Sequence, residues 1–248
     1  MTLNSFMPVK LVTGAGCVRG SAKELARLGK TCLIVTGRHS AKVCGAFQDV
    51  TDTLGANGQS WVLFDGIGQN PRLTDCMAAA EQAIAAGADF ILGIGGGSAL
   101  DAAKCIAVLA ANPGMTQAQL YAFDWAREPL KIVTVGTTAG TGSEVTKVSV
   151  ITTPDGRKKS FHHEAIFPAL SLGDPTYTMS LPPMVTRSTM VDVLAHCAES
   201  FFSRSANHIS RCYAVEGIRL LLEAKKATGL PIVTEIMDIR TLPLFENV

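Results

Sequence analysis

Short apolar runs alternate along most of the chain with Ala-rich stretches whose apolar residues recur at helical spacing. The apolar runs predict strands at 31–36, 60–64, 89–94 and 131–135, and the stretches predict helices at 40–54, 72–86 and 98–110. Two further runs, 148–152 and 157–160, flank an Asp-Gly turn and predict a β-hairpin. Alternating strands and helices are typical of α/β proteins, so we expect a Rossmann-like parallel sheet.

The pattern changes after residue 181. Residues 184–202 and 205–226 have helical spacing with no strand between them, and Pro182 and Pro183 suit the first turn of a helix. We therefore predict an α/β domain over 1–180, followed at 181–221 by the truncated start of an all-helical domain.

Composition narrows the function classes. The chain has 22 Lys+Arg against 21 Asp+Glu, so its net charge of +1 disfavours nucleic acid as a partner. Its longest uncharged run, 105–123, contains Pro113 and Gly114, and no membrane span is expected. The first residues lack the pattern of a secretory signal, so we expect a cytoplasmic protein. Seven scattered cysteines without a CxxC indicate neither a disulfide framework nor a zinc knuckle.

A glycine-rich segment, Gly95-Gly-Gly-Ser98, lies between a predicted strand and a predicted helix. Residues without Cβ let a diphosphate approach the backbone, and the start of the helix offers free N–H groups and a positive dipole end. Asp101 and Lys104 follow on the first turns. The segment predicts a phosphate-binding loop, although a glycine-rich turn without a ligand has the same local pattern.

A second polar loop, Thr137-Thr-Ala-Gly-Thr-Gly-Ser-Glu144, follows the strand at 131–135. Its hydroxyls can hydrogen-bond phosphate, ribose or carboxamide groups. The alternative is an ordinary polar loop.

Together, GGGSxxDxAK at 95–104 and TTAGTGSE at 137–144 resemble the iron-containing alcohol dehydrogenase family, over residues 1–221. The resemblance implies an enzyme that transfers hydride between NAD or NADP and a primary alcohol or aldehyde. It also implies a divalent metal on the helical domain. The cofactor contacts expected from the two loops and from weaker matches are Asn70, Gly95, Gly96, Gly97, Ser98, Asp101, Thr137, Thr138, Ser143 and Lys159.

Gly37 is a further expected cofactor contact. Family members that prefer NAD commonly carry an Asp at the end of the second strand, where this chain has Gly37 followed by Arg38. Gly37 leaves room for a 2′-phosphate and Arg38 supplies charge, so NADP is favoured over NAD. The alternative is that Arg38 is a solvated loop residue.

The expected metal ligands are Asp192 and His196. They are four residues apart, so they share one face of a helix, and by resemblance they match the first two iron ligands of the family. The family's two later histidine ligands have no counterpart, and His208 does not lie at a ligand position. Fe²⁺ or Zn²⁺ is therefore expected to bind weakly, since a catalytic metal takes about three protein ligands.

Several alternatives bear on this assignment. The segment 14–20 misses the GxGxxG spacing, and no tyrosine is followed by the Lys of a short-chain dehydrogenase.

Residues 222–248 resemble a fragment of deoxyheptulosonate phosphate aldolase, which suggests a fusion near Leu221. A catalytically inactive dinucleotide-binding fragment is thus a second hypothesis. Unpartnered helix faces predict self-association.

Overall fold

The computed structural model describes residues 6–228. Its main sheet has six strands, all parallel: β1 (Lys10–Thr13), β2 (Thr31–Thr36), β3 (Ser60–Phe64), β4 (Phe90–Gly95), β5 (Lys131–Gly136) and β8 (Leu170–Gly173). Their order across the sheet is β1-β8-β5-β4-β2-β3. A separate antiparallel hairpin consists of β6 (Val148–Thr152) and β7 (Lys158–His162). The predicted α/β fold and the hairpin are confirmed.

Helices connect the strands. The helices before β5 are α1 (Cys17–Gly20), α2 (Ala22–Ala26), α3 (Ser40–Val43), α4 (Ala46–Ala56), α5 (Leu73–Ala85), α6 (Gly97–Ala111) and α7 (Gln117–Ala122). The last two helices are α8 (Pro183–Phe202) and α9 (His208–Thr228). Short 3₁₀ turns lie at Ser143–Val145, Glu164–Ile166 and Pro175–Thr178.

Helix α6 lies at the centre of the larger core. Nearly all of its residues from Ala99 onward are buried, which explains its run of alanines: small side chains let the helix lie close to the sheet. One close approach is at Gly93 of β4, where a Cβ atom would lie 2.8 Å from the Cβ of Ala103. A larger side chain at either position would separate the helix from the strand.

The structure differs from the sequence prediction in several elements. The short elements β1, α1, α2 and α7 were not predicted. The helix expected at 40–54 is divided into α3 and α4 because Gly45 adopts a left-handed conformation with φ +86°. Strand β8 was not predicted. It is four residues long and lies between β1 and β5, where its hydrogen-bond partners come from distant parts of the chain.

The chain divides into two compact units. The first, called the α/β unit here, is Phe6–Thr138 with Gly142–Ser180. The described part of the second, the helical unit, is Ala139–Thr141 and residues 181–228. Helix α9 continues past Leu221 to Thr228, while residues 229–248 of the predicted tail lie outside the described residues. Among residues 6–228, no helix has the length and apolar character needed to cross a membrane.

Candidate functional site

The sheet topology of the α/β unit creates a crevice between β2 and β4. From β2 the chain proceeds outward to β3, and from β4 it proceeds in the opposite direction to β5. Ligands of open α/β sheets bind at such a switch point, beyond the carboxyl ends of the strands. Here those ends are followed by Gly37 and by the glycine loop Gly95–Gly97.

The glycine loop has little space for side chains. Gly95 has φ +152°, and a Cβ atom on it would lie 2.8 Å from the Cβ of Ala99. A Cβ atom on Gly96 would lie 2.9 Å from the Oγ1 atom of Thr138. Helix α6 begins at Gly97, so its first N–H groups lie at the loop. This arrangement is suited to a phosphate group.

Asn70 and Ser98 also meet at this edge of the sheet. The backbone N–H of Asn70, a residue with φ +56°, donates to the Ser98 hydroxyl at 3.3 Å. The carbonyl of Asn70 accepts a hydrogen bond from the Thr152 hydroxyl of the hairpin. The structure therefore brings Asn70, Ser98 and the glycine loop together.

The threonine loop starts beside the glycine loop. The N–H of Thr137 donates to the carbonyl of Gly95 at 3.0 Å. The Thr137 hydroxyl is buried, yet it has no hydrogen-bond partner among the described residues. An unsatisfied buried hydroxyl costs about 1–3 kcal/mol, and a bound polar ligand would remove that cost. The residues at the crevice thus fit a dinucleotide.

Two of the expected cofactor contacts are bonded to each other. The Asp101 carboxylate accepts hydrogen bonds from the Ser143 hydroxyl at 2.6 Å and from the Val150 N–H at 3.0 Å. Burial raises the pKa of Asp101, while the Ser143 hydroxyl, Lys104 and the Val150 N–H oppose that shift. Both of its oxygens are occupied by the protein, which makes a supporting role more suitable than contact with an anionic diphosphate.

Lys104 is fully buried next to this pair. Its ammonium group donates to the Ser143 hydroxyl at 2.9 Å and to the Val148 carbonyl at 2.7 Å. Burial lowers the pKa of Lys104 to about 8, against the opposing charges of Asp101 and Glu144. A fully buried lysine is rare unless it is paired, and here Asp101 and the hydrogen-bond acceptors supply that pairing.

The surroundings of Gly37 contain charges that the sequence analysis did not consider. A Cβ atom on Gly37 would lie 3.3 Å from the carbonyl oxygen of Ile67. Nearby, Lys42 donates to the Asp65 carboxylate at 2.6 Å, and this bond lowers the pKa of Asp65, with a smaller contribution from Arg38. Asp65 directly follows β3, and its proximity to Lys42 depends on the pairing of β2 with β3.

The hairpin places Lys159 against Tyr121 of α7. Lys159 pairs with Ile151, on the face that contains the buried Phe161, and its ammonium group lies 4.1 Å from the ring centroid of Tyr121. Lys158 instead pairs with Thr152, and directly paired residues share a face. Lys158 is therefore on the face whose Thr152 contacts Asn70. Local spacing does not indicate Lys158, because the face of a strand residue depends on the register.

The turn after β1 is closed by the protein's own carboxylate. Asp174 accepts a hydrogen bond from the N–H of Gly16 at 2.6 Å. Its other oxygen accepts from the N–H and hydroxyl of Thr176. Since a carboxylate already occupies this turn, a diphosphate would be repelled there.

The two expected metal ligands lie on α8, in the helical unit. The Nε2 atom of His196 and the Oδ1 atom of Asp192 are 3.8 Å apart, and the side chains are 50% and 40% exposed. The Nδ1 atom of His196 lies 3.3 Å from the carbonyl oxygen of Gly140 in the same unit. Within residues 6–228, no three His, Cys, Asp or Glu side chains form a metal-binding group. The described donors therefore do not complete a catalytic metal site.

Comparison with known protein families identifies the family to which this chain belongs. Residues 8–175 match the family described as iron-containing alcohol dehydrogenase. The chain belongs to this family. The resemblance inferred from the two loops is thereby confirmed, whereas the resemblance of the tail to an aldolase stays a prediction.

Individual relatives in this family differ in the reactions that their names describe. The chain is 34% identical over 215 residues to the sulfoacetaldehyde reductase of Bilophila wadsworthia, covering 86% of this chain and 55% of the relative. It is 35% identical over 219 residues to alcohol dehydrogenase 4 of Schizosaccharomyces pombe, covering 87% of this chain and 51% of the relative. The chain thus spans about half the length of these curated relatives.

A solved structure from the family shows the same fold. The crystal structure of the iron-containing alcohol dehydrogenase of Thermotoga maritima matches with a TM-score of 0.85 at 34% identity, over 91% of this chain and 63% of that chain. The similarity therefore includes both the α/β sheet and helices that follow it.

Proposed function

We propose that the chain binds NADP or NAD at the β2–β4 crevice and is an alcohol dehydrogenase that acts on a primary alcohol or its aldehyde. The observation that carries the proposal is the buried hydroxyl of Thr137, which has no hydrogen-bond partner within residues 6–228 and lies beside the glycine loop at the start of α6. Family membership supports the reaction type. Bound at this place, the nicotinamide group supplies a hydride acceptor or donor.

The order of the strands suggests how the dinucleotide lies. β2, β4 and β5 are neighbours, and they are followed by Gly37, the glycine loop and Thr137 respectively. The adenosine end would lie at Gly37, the diphosphate at the N-terminus of α6, and the nicotinamide half toward Thr137 and Thr138. Asn70 and Ser98 would border the diphosphate, and we add Lys158 as a cation on the same side.

We further propose a preference for NADP. Gly37 leaves space where an acidic side chain would repel a 2′-phosphate, and Arg38 supplies a positive charge. Lys42 is a second cation in this region, although it is paired with Asp65. A 2′-phosphate would compete with Asp65 for Lys42.

Replacing Thr137 with valine tests the cofactor site. Valine keeps the shape of threonine but removes the unsatisfied hydroxyl, so we expect the free energy of unfolding to rise by about 1 kcal/mol. We expect the affinity for NADP⁺ to fall by about fivefold to tenfold, because one hydrogen bond to the ligand is lost. Chemical denaturation and calorimetric titration with NADP⁺ and with NAD⁺ measure both effects and the preference.

Ser171→Ala is the matched control, because the Ser171 hydroxyl of β8 is also buried without a partner among the described residues. It should leave the affinity for NADP⁺ unchanged. Equal affinity of the Thr137→Val variant and the original chain would place the cofactor elsewhere.

Asp192 and His196 remain our proposal for two ligands of a divalent metal, Fe²⁺ or Zn²⁺. Because the described residues offer no third donor, binding should be weak. We expect His196→Ala to weaken binding of Co²⁺, followed by its visible absorption, by about tenfold or more. His208→Ala on α9 should have no effect. Identical Co²⁺ titrations of both variants would exclude this pair.

The second candidate function is dinucleotide binding without turnover. It is favoured by the donor set of residues 6–228, which does not complete a catalytic metal site. Oxidation of NADPH in the presence of short aldehydes and Fe²⁺ separates the candidates: turnover supports the dehydrogenase, whereas binding without turnover supports the alternative.

We also propose self-association, since Met184, Phe202 and Tyr213 are each about 70% exposed in the helical unit.

A further inference from the structure

Helix α6 has two functions in the α/β unit. Its first residues form the glycine loop. Asp101 and Lys104, one and two turns further along, bind Ser143 near the end of the threonine loop and the segment that continues from it into β6. The two loops that flank the proposed cofactor are thus connected through one helix.

The connection is made by several hydrogen bonds to the buried ammonium group of Lys104 and the largely buried carboxylate of Asp101. Lys104 donates to the Ser143 hydroxyl, the Thr146 hydroxyl and the Val148 carbonyl. Asp101 accepts from the Ser143 hydroxyl and the Val150 N–H, and its carbonyl accepts from the Ser149 hydroxyl at 2.8 Å. The hydroxyl of Ser143 therefore bridges the two charged groups, whose closest atoms are 3.9 Å apart.

Such a network is a poor means of stabilising a fold. Both charged groups lose hydration on burial, and well-packed apolar side chains of similar volume often stabilise a protein equally well or better. Hydrogen bonds between fixed donors and acceptors are directional, so the network holds the segment in one geometry. Apolar packing would define that geometry less strictly.

We propose that Lys104 and Asp101 are positioning residues that hold the threonine loop at the place where it meets the nicotinamide half of the dinucleotide. Neither residue contacts the dinucleotide itself. The proposal rests on the cofactor site proposed above. It implies that loss of the network weakens recognition of the nicotinamide half and leaves the adenosine diphosphate half unaffected, because that half contacts the glycine loop and Gly37.

Titrations with NAD⁺ and with ADP test the proposal on the full chain. We expect Lys104→Met to reduce the affinity for NAD⁺ by about tenfold and to leave the affinity for ADP within about twofold. Asn112→Ala is the control. Asn112 is a buried polar residue at the other end of α6, where it bonds to Arg127. Its loss should lower the melting temperature without changing the ratio of the two affinities.

The outcomes separate this inference from the proposed function. If the original chain binds neither NAD⁺ nor ADP, the cofactor site itself is refuted. If Lys104→Met loses NAD⁺ and ADP affinity equally, or loses neither, the positioning role is refuted while the site stands. Should Lys104→Met not fold, Ser143→Ala and Ser143→Thr decide instead: the alanine variant should lose NAD⁺ affinity selectively, and threonine, which keeps the hydroxyl, should restore it. Failure of threonine to restore it would overturn the proposal.

Discussion

Gly95→Val is expected to destabilise the α/β unit by about 3 kcal/mol and to weaken NADP⁺ binding by more than about 100-fold. Gly95 has φ +152°, a conformation that strains any residue with a side chain, and its added Cβ would lie 2.8 Å from the Cβ of Ala99. Relief of that contact requires the strand end to move away from α6. The N–H groups that would bind the diphosphate then lose their arrangement. Urea denaturation and calorimetry measure the two effects.

Gly55→Ala provides a control for the loss of a glycine. Gly55 lies near the end of α4, and an added Cβ would meet no atom within 4 Å. This substitution should stabilise the protein by about 0.5–1 kcal/mol, because alanine loses less backbone entropy in a helix. Normal NADP⁺ affinity in the folded Gly95→Val protein would show that the glycine loop is not the phosphate site.

The glycine loop and the threonine loop could be predicted because each depends on residues that are close together in sequence. Gly95–Ser98 was placed correctly because one apolar run before it and one Ala-rich stretch after it are enough to define a strand-to-helix turn. The threonine loop was found in the same way, after β5. In both cases the chemistry lies within ten residues of the element that positions it.

Contacts between distant residues explain what was missed. Asp101 and Ser143 were each expected to contact the cofactor, yet they are 42 residues apart in sequence and bond to each other. Their meeting depends on how the hairpin packs against α6, which local spacing does not define. Lys158 and Lys159 show the same limit on a smaller scale, since a shift of one residue in register exchanges their faces.

Strand β8 was missed for a related reason. It is only four residues long, and its place between the edge strand β1 and β5 follows from pairing with those two strands rather than from a long apolar run. Asp174 directly follows this strand and accepts a hydrogen bond from Gly16 in the turn after β1. The turn that most resembles a dinucleotide fingerprint in sequence is therefore filled by a side chain from the other end of the unit.

We expect the titration of Lys104 to make the free energy of unfolding rise with pH. In the folded chain its pKa is lowered to about 8, while in the unfolded chain it returns to its ordinary value of 10.5. Between these values the unfolded chain binds the proton that the folded chain has released, so the free energy of unfolding rises with pH. The difference in pKa corresponds to a gain of up to about 3 kcal/mol. Urea denaturation between about pH 7 and pH 10 measures it.

Lys104→Met isolates this gain from other groups that titrate in the same range. Burial raises the pKa of Cys32 and of Tyr121 to about 12, and these groups oppose the trend because the unfolded chain loses their protons first. They are present in both proteins, so the difference in stability between the original chain and Lys104→Met retains only the contribution of Lys104. We expect that difference to shift in favour of the original chain by about 2–3 kcal/mol from pH 7 to pH 10. A constant difference would mean that water reaches the ammonium group and that the buried network is open in solution.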